Sequence, residues 1–349
     1  MTLRYDGVNK LDSKRLIEII DKFKGKKILV IGDIMLDKYI KGEVSRISPE
    51  APVQVVNVER EDYVPGGAAN VATNIASLGG NVFIVGTVGN DDMAPILVEE
   101  LKKRNINVDY LVKDATRPTI TKMRVIARSQ QLLRVDYEKV HGIDLTHQQK
   151  LLNELKSVIE KIDCVVLSDY GKGLVTKSLM IGLVDMAKSA GKRIIVDPKP
   201  AHREYYYDCN LLTPNYDEAC QMCMLEPEEW KDIMKVGDAL VKKYAADVLV
   251  TRGEKGMSLF MKNGTDKHIP TKAKEVYDVT GAGDTVVATL SIAISAGASL
   301  EEAAIIANHA AGIVVGKIGT STVTSKEIKN DIRKDAEYNS QHNDTNGKR

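Results

Sequence analysis

The sequence predicts an α/β fold: a three-layer α/β/α sandwich with a mostly parallel central sheet, plus a small β-sheet lid. Three observations predict it. Short runs rich in Val, Ile and Leu alternate with stretches of helical period; glycine- and carboxylate-bearing segments follow several of those runs; and two Val/Ile/Thr-rich segments break the alternation. At 349 residues, with 43% apolar and 28% charged content, the chain can bury a large core beneath an ordinary charged surface.

Leu11, Leu16, Ile19, Ile20 and Phe23 keep helical spacing and give an amphipathic opening helix. Lys27-Ile-Leu-Val-Ile31 is the first buried strand, ended by Gly32. Residues 82–85, 164–167, 193–196, 211–212, 248–251 and 258–261 read as further strands. Helices are expected over 68–78, 93–104, 147–161, 176–190 and 228–245, and another from near Asp284 through the apolar run 286–296. Residues 38–60 and 118–137 interleave Arg and Lys with β-branched residues and read as antiparallel lid strands outside the main sheet. Residues 1–330 thus make one domain, and the polar residues 331–349 are expected to be a disordered tail.

The net charge of +1 supplies no global field for nucleic acid or an acidic membrane, so neither is an expected partner. No apolar run approaches the ~18 residues of a membrane span, and the N-terminus shows no signal-peptide pattern. Cys164, Cys209, Cys220 and Cys223 are few for this length and suit a reducing cytoplasm. Cys220 and Cys223 form a Cys-x-x-Cys pair without a second pair, and buried thiols are expected in preference to a redox or zinc role.

The most informative segment is Asp278-Val-Thr-Gly-Ala-Gly-Asp284. A helix start leaves backbone N–H groups unpaired and carries a partial positive charge, which makes it an anion site. Gly281 and Gly283 allow close approach of a phosphate, and Asp284 stands beside it as a base for a hydroxyl. The alternative is a tight turn with Asp284 as an ordinary cap. Pro65-Gly66-Gly67-Ala68-Ala69-Asn70 enters another helix, with Asn70 able to meet hydroxyls, or the small residues serve packing alone.

Asp33 and Asp37 follow the first strand and are candidates for sugar hydroxyls, helix caps or a lid-hinge ion pair. Asn215 with Glu218 forms a capping-box pattern that can also organise Mg²⁺-bound water. Thr251 and Gly253 follow a strand and are placed either for phosphate oxygens or for a turn. Asp169-Tyr-Gly171-Lys172-Gly173 and Asp197-Pro-Lys199 bring lysines to strand ends. Arg124 and Arg128 share strand parity, so both are expected on one lid face, suited to a substrate phosphate or simply solvated. No P-loop, dinucleotide fingerprint or protein-kinase His-Arg-Asp loop is present.

Across roughly residues 26–325 these elements resemble the ribokinase-like (PfkB) sugar kinases. The match includes Gly66-Gly67 with Asn70, Asn215-x-x-Glu218, Thr251-x-Gly253 and Gly281-Ala282-Gly283-Asp284, in that order. Within that family, Ser45-Arg-Ile-Ser-Pro-Glu-Ala-Pro-Val53 and Gln130-Gln-Leu-Leu-Arg-Val-Asp136 resemble the D-glycero-D-manno-heptose 7-phosphate kinases of the bacterial inner-core heptose pathway. No His-x-Gly-His nucleotidyltransferase element is present, so a stand-alone kinase is expected.

The resemblance implies ATP and Mg²⁺ as cofactors and a phosphosugar as substrate. It implies Asp284 as base for the C1 hydroxyl, with the Gly281, Ala282 and Gly283 amides on the γ-phosphoryl oxygens. It places Asn215 and Glu218 at the Mg·ATP site, Thr251 and Gly253 at the phosphates, and Asn308 near the adenine. Asp33, Gly66, Gly67, Asn70 and Lys172 would hold the sugar, with Arg128, then Arg124, for the 7-phosphate. A homodimer through the lid sheet is implied too. The competing expectations are a fructose-phosphate kinase or ribokinase on the same fold, and a sugar-phosphate-binding protein without catalysis.

Overall fold

Successive side chains of a strand point to opposite faces, so a strand covered on both sides must be apolar throughout. The strand Lys27–Gly32 (β1) shows this, sending Ile28 and Val30 to one core and Leu29 and Ile31 to the other. The computed structural model describes residues 13–346 apart from positions 129, 274, 318 and 320; Leu11 of the expected opening helix lies outside the described residues.

That helix, α1 (Ser13–Asp21), precedes β1. After β1 come β2 (Ile34–Ile47), β3 (Gln54–Gly67), α2 (Ala68–Ser77), β4 (Asn81–Val88) and α3 (Met93–Lys103). Next are β5 (Ile106–Asn107), β6 (Leu111–Lys113), β7 (Ile120–Ala127), β8 (Gln130–Tyr137), α4 (Leu145–Val158) and β9 (Cys164–Ser168). α5 (Lys177–Ser189), β10 (Arg193–Asp197), β11 (Leu211–Leu212), α6 (Tyr216–Met222), α7 (Ile233–Tyr244) and β12 (Asp247–Thr251) follow. The chain ends with β13 (Met257–Phe260), β14 (Asp266–Ile269), α8 (Ala282–Ser295), α9 (Leu300–Val315) and α10 (Ser325–Asn346).

The main sheet runs β14-β13-β12-β11-β10-β9-β1-β4-β5, with β6 also on β4. Only the pairs β12–β13 and β13–β14 are antiparallel. One core joins the sheet to α1, α2, α3, α8, α9 and α10 through Leu16, Val71, Leu97, Leu290, Ile306 and Ile328. The other joins it to α4, α5, α6 and α7 through Leu155, Leu183, Ala219 and Leu240. All four cysteines are buried free thiols, and burial pushes Cys164 and Cys209 up to about 12.

The lid is a separate sheet of order β3-β2-β7-β8. Its two hairpins are antiparallel as expected, but β2 and β7 meet in parallel. Both strands leave the body outward, so they run the same way. The lid strands also start deeper than the sequence suggests, because Ile34, Met35 and Leu36 are buried in the body.

The expected disordered tail is a correction. Residues 331–346 continue α10, with Ile332 buried one turn after buried Ile328. Lys272 pairs with Asp335 at 2.7 Å, and His309 meets Asp331 at 2.7 Å. A pair of isoleucines at i and i+4 suffices to dock an otherwise polar helix. Residues 347–349 lie outside the described residues.

Candidate active site

The polar groups gather where open α/β sheets bind ligands, at the C-terminal ends of the parallel strands. Asp33 follows β1, Asp169 and Tyr170 follow β9, and Asp197 ends β10 with Lys199 just beyond. Asn215 and Glu218 follow β11, and Thr251 ends β12. The first turn of α8 brings Asp284 to the same place, within reach of Tyr170.

Gly281 precedes α8 with φ 79 and ψ 4, in the left-handed region, and the helix start carries no side-chain cap. That backbone costs an L-residue roughly 1 kcal/mol or more, which is why glycine stands there. A Cβ added at Gly283 meets nothing within 4 Å, so this helix mouth faces open space. Asp284 itself is buried. Its Oδ2 accepts from Asn70 Nδ2 at 2.6 Å and its Oδ1 from the Tyr170 hydroxyl at 2.6 Å. Burial raises the carboxyl to about 6; Tyr170 and Asn70 pull it down, Asp37 pushes it up and Lys199 pulls it down.

Asn70 is positioned by its own helix. Asn74 Nδ2 donates to the Asn70 carbonyl at 2.9 Å, and the Thr285 hydroxyl donates to Asn74 Oδ1 at 2.9 Å, which stitches α2 to α8. Gly67 caps α2 at φ 57, and Gly66 has no room for a side chain: an added Cβ would lie 2.5 Å from Asp37 Oδ2.

Asp33 is filled by backbone. Its Oδ2 accepts from the N–H groups of Tyr170 and Lys172, both at 3.0 Å, and its Oδ1 from that of Leu174 at 3.1 Å. It therefore ties down the loop that carries Tyr170. Burial and neighbouring Asp169 raise its carboxyl although the three N–H groups oppose this. Lys172 turns its ammonium to Glu138 at 2.7 Å. Asp169 is buried and accepts from the Tyr206 hydroxyl at 2.6 Å and from the Gly171 N–H at 2.7 Å, with His202 Nδ1 also at 2.6 Å. That contact raises the His202 imidazole, against its burial.

The lid contributes Arg124, whose Nη1 pairs with Asp37 and whose guanidinium lies 5.4 Å from the Tyr39 ring centroid. Arg128 departs from the sequence expectation. β7 runs unbroken beside β2 but ends at Ala127, and Arg128 sits in the turn at φ 48. Strand parity is lost, so the two arginines do not share one strand face. Arg128 is exposed and borders a cavity of about 1070 Å³ beneath the lid, with Tyr39, Lys41, Arg60, Tyr63 and Gly319. A smaller cavity of about 360 Å³ reaches Asn70, with Thr73, Arg104 and Lys317.

On the other flank the capping box is formed: Asn215 Oδ1 accepts from the Glu218 N–H at 2.9 Å, and Glu218 Oε2 from the Asn215 N–H at 3.0 Å. Glu218 Oε1 takes the Lys199 ammonium, which also lies 5.8 Å from the Tyr170 ring centroid. Burial works against the Lys199 charge, yet Glu218 and the aspartates hold its pKa above the ordinary value. Asp197 is raised well above the carboxylate range by burial and by Asp284 and Glu218, with Lys199 opposing. Thr251 bridges to Asn215, and exposed Gly253 at φ 57 has nothing within 4 Å of an added Cβ. Asn308 is buried on α9 and donates to the Pro270 carbonyl at 2.6 Å, so it fixes the segment after β14. Among the described residues no group of three His, Cys, Asp or Glu side chains is placed to hold a metal.

A buried carboxylate at an uncapped, glycine-opened helix mouth is built to take a proton beside a bound anion. The model of the pfkB family carbohydrate kinases matches residues 25–327. The chain belongs to that family. It is accordingly an ATP-dependent carbohydrate kinase by class. It is 45% identical over 315 residues to the bifunctional protein HldE of Proteus mirabilis, covering 89% of this chain and 65% of that protein. To the bifunctional protein HldE of Escherichia coli it is 46% identical over 318 residues, covering 90% and 65%. The kinase thus spans about two thirds of the length of these curated relatives. Its fold is shared with Arabidopsis thaliana ribokinase complexed with ribose and ATP (TM-score 0.67, 22% identity, 88% of this chain and 99% of that one). It is shared also with phosphofructokinase-2 of Escherichia coli in complex with potassium (TM-score 0.69, 19% identity, 89% and 98%). No helix among the described residues is long and apolar enough to cross a membrane.

Sequence reasoning missed Tyr170, and it offered a lid-hinge ion pair for Asp37 without naming Arg124 as the partner. Asp169-Tyr-Gly171-Lys172-Gly173 drew notice for its lysine, and nothing local distinguishes the tyrosine as the residue that meets Asp284.

Proposed function

We propose that this kinase transfers the γ-phosphoryl group of ATP to the C1 hydroxyl of D-glycero-D-manno-heptose 7-phosphate, giving the 1,7-bisphosphate and ADP for nucleotide-activated heptose synthesis. The observation that carries the transfer chemistry is the Asp284 carboxylate, buried and held at both oxygens at the uncapped start of α8. Asp284 takes the C1 hydroxyl proton, the oxygen attacks the γ-phosphorus, and the bond to the bridging oxygen breaks with its electron pair leaving on ADP. The amides of Gly281 to Gly283 hold the charge on the phosphoryl oxygens.

The heptose assignment is supported by the two lid segments that resemble heptose 7-phosphate kinases, together with the identity to HldE proteins. One segment forms the β2–β3 tip and the other forms β8. Arg128 at the rim of the large cavity is the first candidate for the 7-phosphate, with Arg124 committed to Asp37. Asn70, Gly66, Gly67 and Lys172 border the sugar, while Asp33 acts through the loop it anchors. Thr251 and Gly253 face the nucleotide phosphates, and Asn308 shapes the adenine side by holding Pro270.

Mg²⁺ would supply charge neutralisation on the phosphates. A site without a three-ligand cage fits it, since Mg²⁺ keeps several waters and takes one or two carboxylates beside substrate phosphates. Glu218 and Asn215, already ordered by their mutual cap, would hold it through water. Ile47, Val53, Val58 and Leu133 of the lid are more than half exposed, which supports a homodimer through that sheet. Buried free thiols and the use of ATP suit the cytoplasm.

The test is ADP release with Mg·ATP and each C1 anomer of heptose 7-phosphate, beside fructose 6-phosphate and ribose, with Asp284→Asn as control. Turnover of one heptose anomer that disappears in the variant supports the proposal. Turnover only with fructose 6-phosphate or ribose keeps the chemistry and discards the heptose; tight binding with no ADP under any metal condition makes the protein a sugar-phosphate binder.

A further inference from the structure

We propose that Tyr170 is a positioning residue of the phosphoryl transfer: its hydroxyl fixes the orientation of the Asp284 carboxylate and sets the pH at which that carboxylate becomes a base. The inference rests on the reading of Asp284 as the base. An ionised carboxylate offers about four lone-pair sites. Tyr170 uses one on Oδ1 and Asn70 one on Oδ2, each at 2.6 Å, so one remains on each oxygen for the sugar hydroxyl.

The tyrosine is fixed from several sides. Its backbone N–H is held by Asp33, the next residue by Asp169, and its ring face lies under the Lys199 ammonium at 5.8 Å from the centroid. A phenol held so firmly directs its proton rather than sampling rotamers. Burial and the adjoining Asp284 push its own pKa well up, so it stays a donor at every working pH. The other charged or titratable groups around Asp284 are Asp37 on β2, Asp197 at the end of β10 and Lys199 beyond it; Asn70 on α2 is neutral. All four remain when the hydroxyl alone is deleted.

Tyr170→Phe is therefore expected to lower kcat about tenfold, leave KM for ATP nearly unchanged, and move the acid limb of kcat/KM upward by about one pH unit. Replacing Tyr170 with 3-fluorotyrosine, a stronger donor of the same shape, should move the limb downward. A fall in kcat with neither limb displaced would reduce Tyr170 to packing and overturn the inference. Carbon-13 NMR titration of the Asp284 carboxyl, assigned by its loss in Asp284→Asn, reads the same displacement without turnover. An unshifted resonance in Tyr170→Phe overturns the inference, whereas full activity of Asp284→Asn overturns the base assignment and leaves the NMR result standing.

Discussion

Asn70 and Asp284 stand 214 positions apart in the sequence and meet side chain to side chain at 2.6 Å inside the protein. The amide donates, so it favours the ionised carboxylate that a base requires. Asn70→Asp keeps the shape and replaces that donor with a second carboxyl. Two carboxylates at this distance cannot both ionise, and one proton will be shared between them. The kinase should lose about 100-fold in kcat/KM at pH 7, with its acid limb displaced upward. A pH–rate profile of the variant that overlays the wild type would show that Asn70 does not bear on the reacting base.

Gly283 separates function from stability. It lies in the first turn of α8 and faces open space, and its φ is not in the left-handed region. Alanine there should stabilise the helix by up to about 1 kcal/mol. The same methyl group would stand where the phosphoryl oxygens must approach the amides, so kcat/KM for ATP should fall at least about tenfold. Melting temperature and steady-state kinetics on one preparation decide it; an active, stabilised Gly283→Ala would remove the helix mouth from the phosphate site.

Asp33 should act through its loop. An asparagine there must turn its NH₂ against a backbone donor in either orientation, toward the N–H groups of Tyr170 and Lys172 or, flipped, toward that of Leu174. Loss of these charge-assisted bonds should destabilise the protein by about 2 kcal/mol and raise KM for the sugar. Hydrogen exchange at residues 170–174 should quicken in Asp33→Asn. Unchanged exchange with a raised KM would make Asp33 a direct sugar ligand instead.

Much of this was legible along the chain because it is local. The double-sided burial of β1 is written in Ile28 to Ile31, and the helix mouth in the spacing of Gly281, Gly283 and Asp284. Asn215 and Glu218 read as a cap because both partners lie within one turn. What failed depended on distant or irregular geometry. The parity of Arg124 and Arg128 assumed that the strand reaches Arg128, but β7 ends at Ala127 and Arg128 turns away at φ 48. Asp33 stays a candidate for the sugar, and no sequence pattern marks its three backbone partners, at 170 to 174, because only the fold brings them to it. Tyr170 reaches Asp284 across 114 positions, with no local pattern to announce it.

The buried base carries a stability cost whose sign can be read from pH. Asp284 has a folded pKa of about 6 against 3.8 for the free side chain, with burial as the largest cause. Between those values the folded protein holds the proton and the unfolded chain does not, so stability falls as pH rises through that window. Above about pH 6 the whole difference is expressed, and two units correspond to about 3 kcal/mol. An asparagine at 284 removes the charge and can still accept from Asn70 while donating to the Tyr170 oxygen. Asp284→Asn should therefore be inactive yet more stable than the wild type at pH 8, by as much as about 3 kcal/mol, with the gain shrinking toward pH 4. Denaturant unfolding at pH 4.5, 6 and 8 measures it. A variant destabilised equally at all three would mean that the contacts of Asp284 outweigh its desolvation, and that the carboxylate holds α2, α8 and the Tyr170 loop together more than the fold strains to keep it charged.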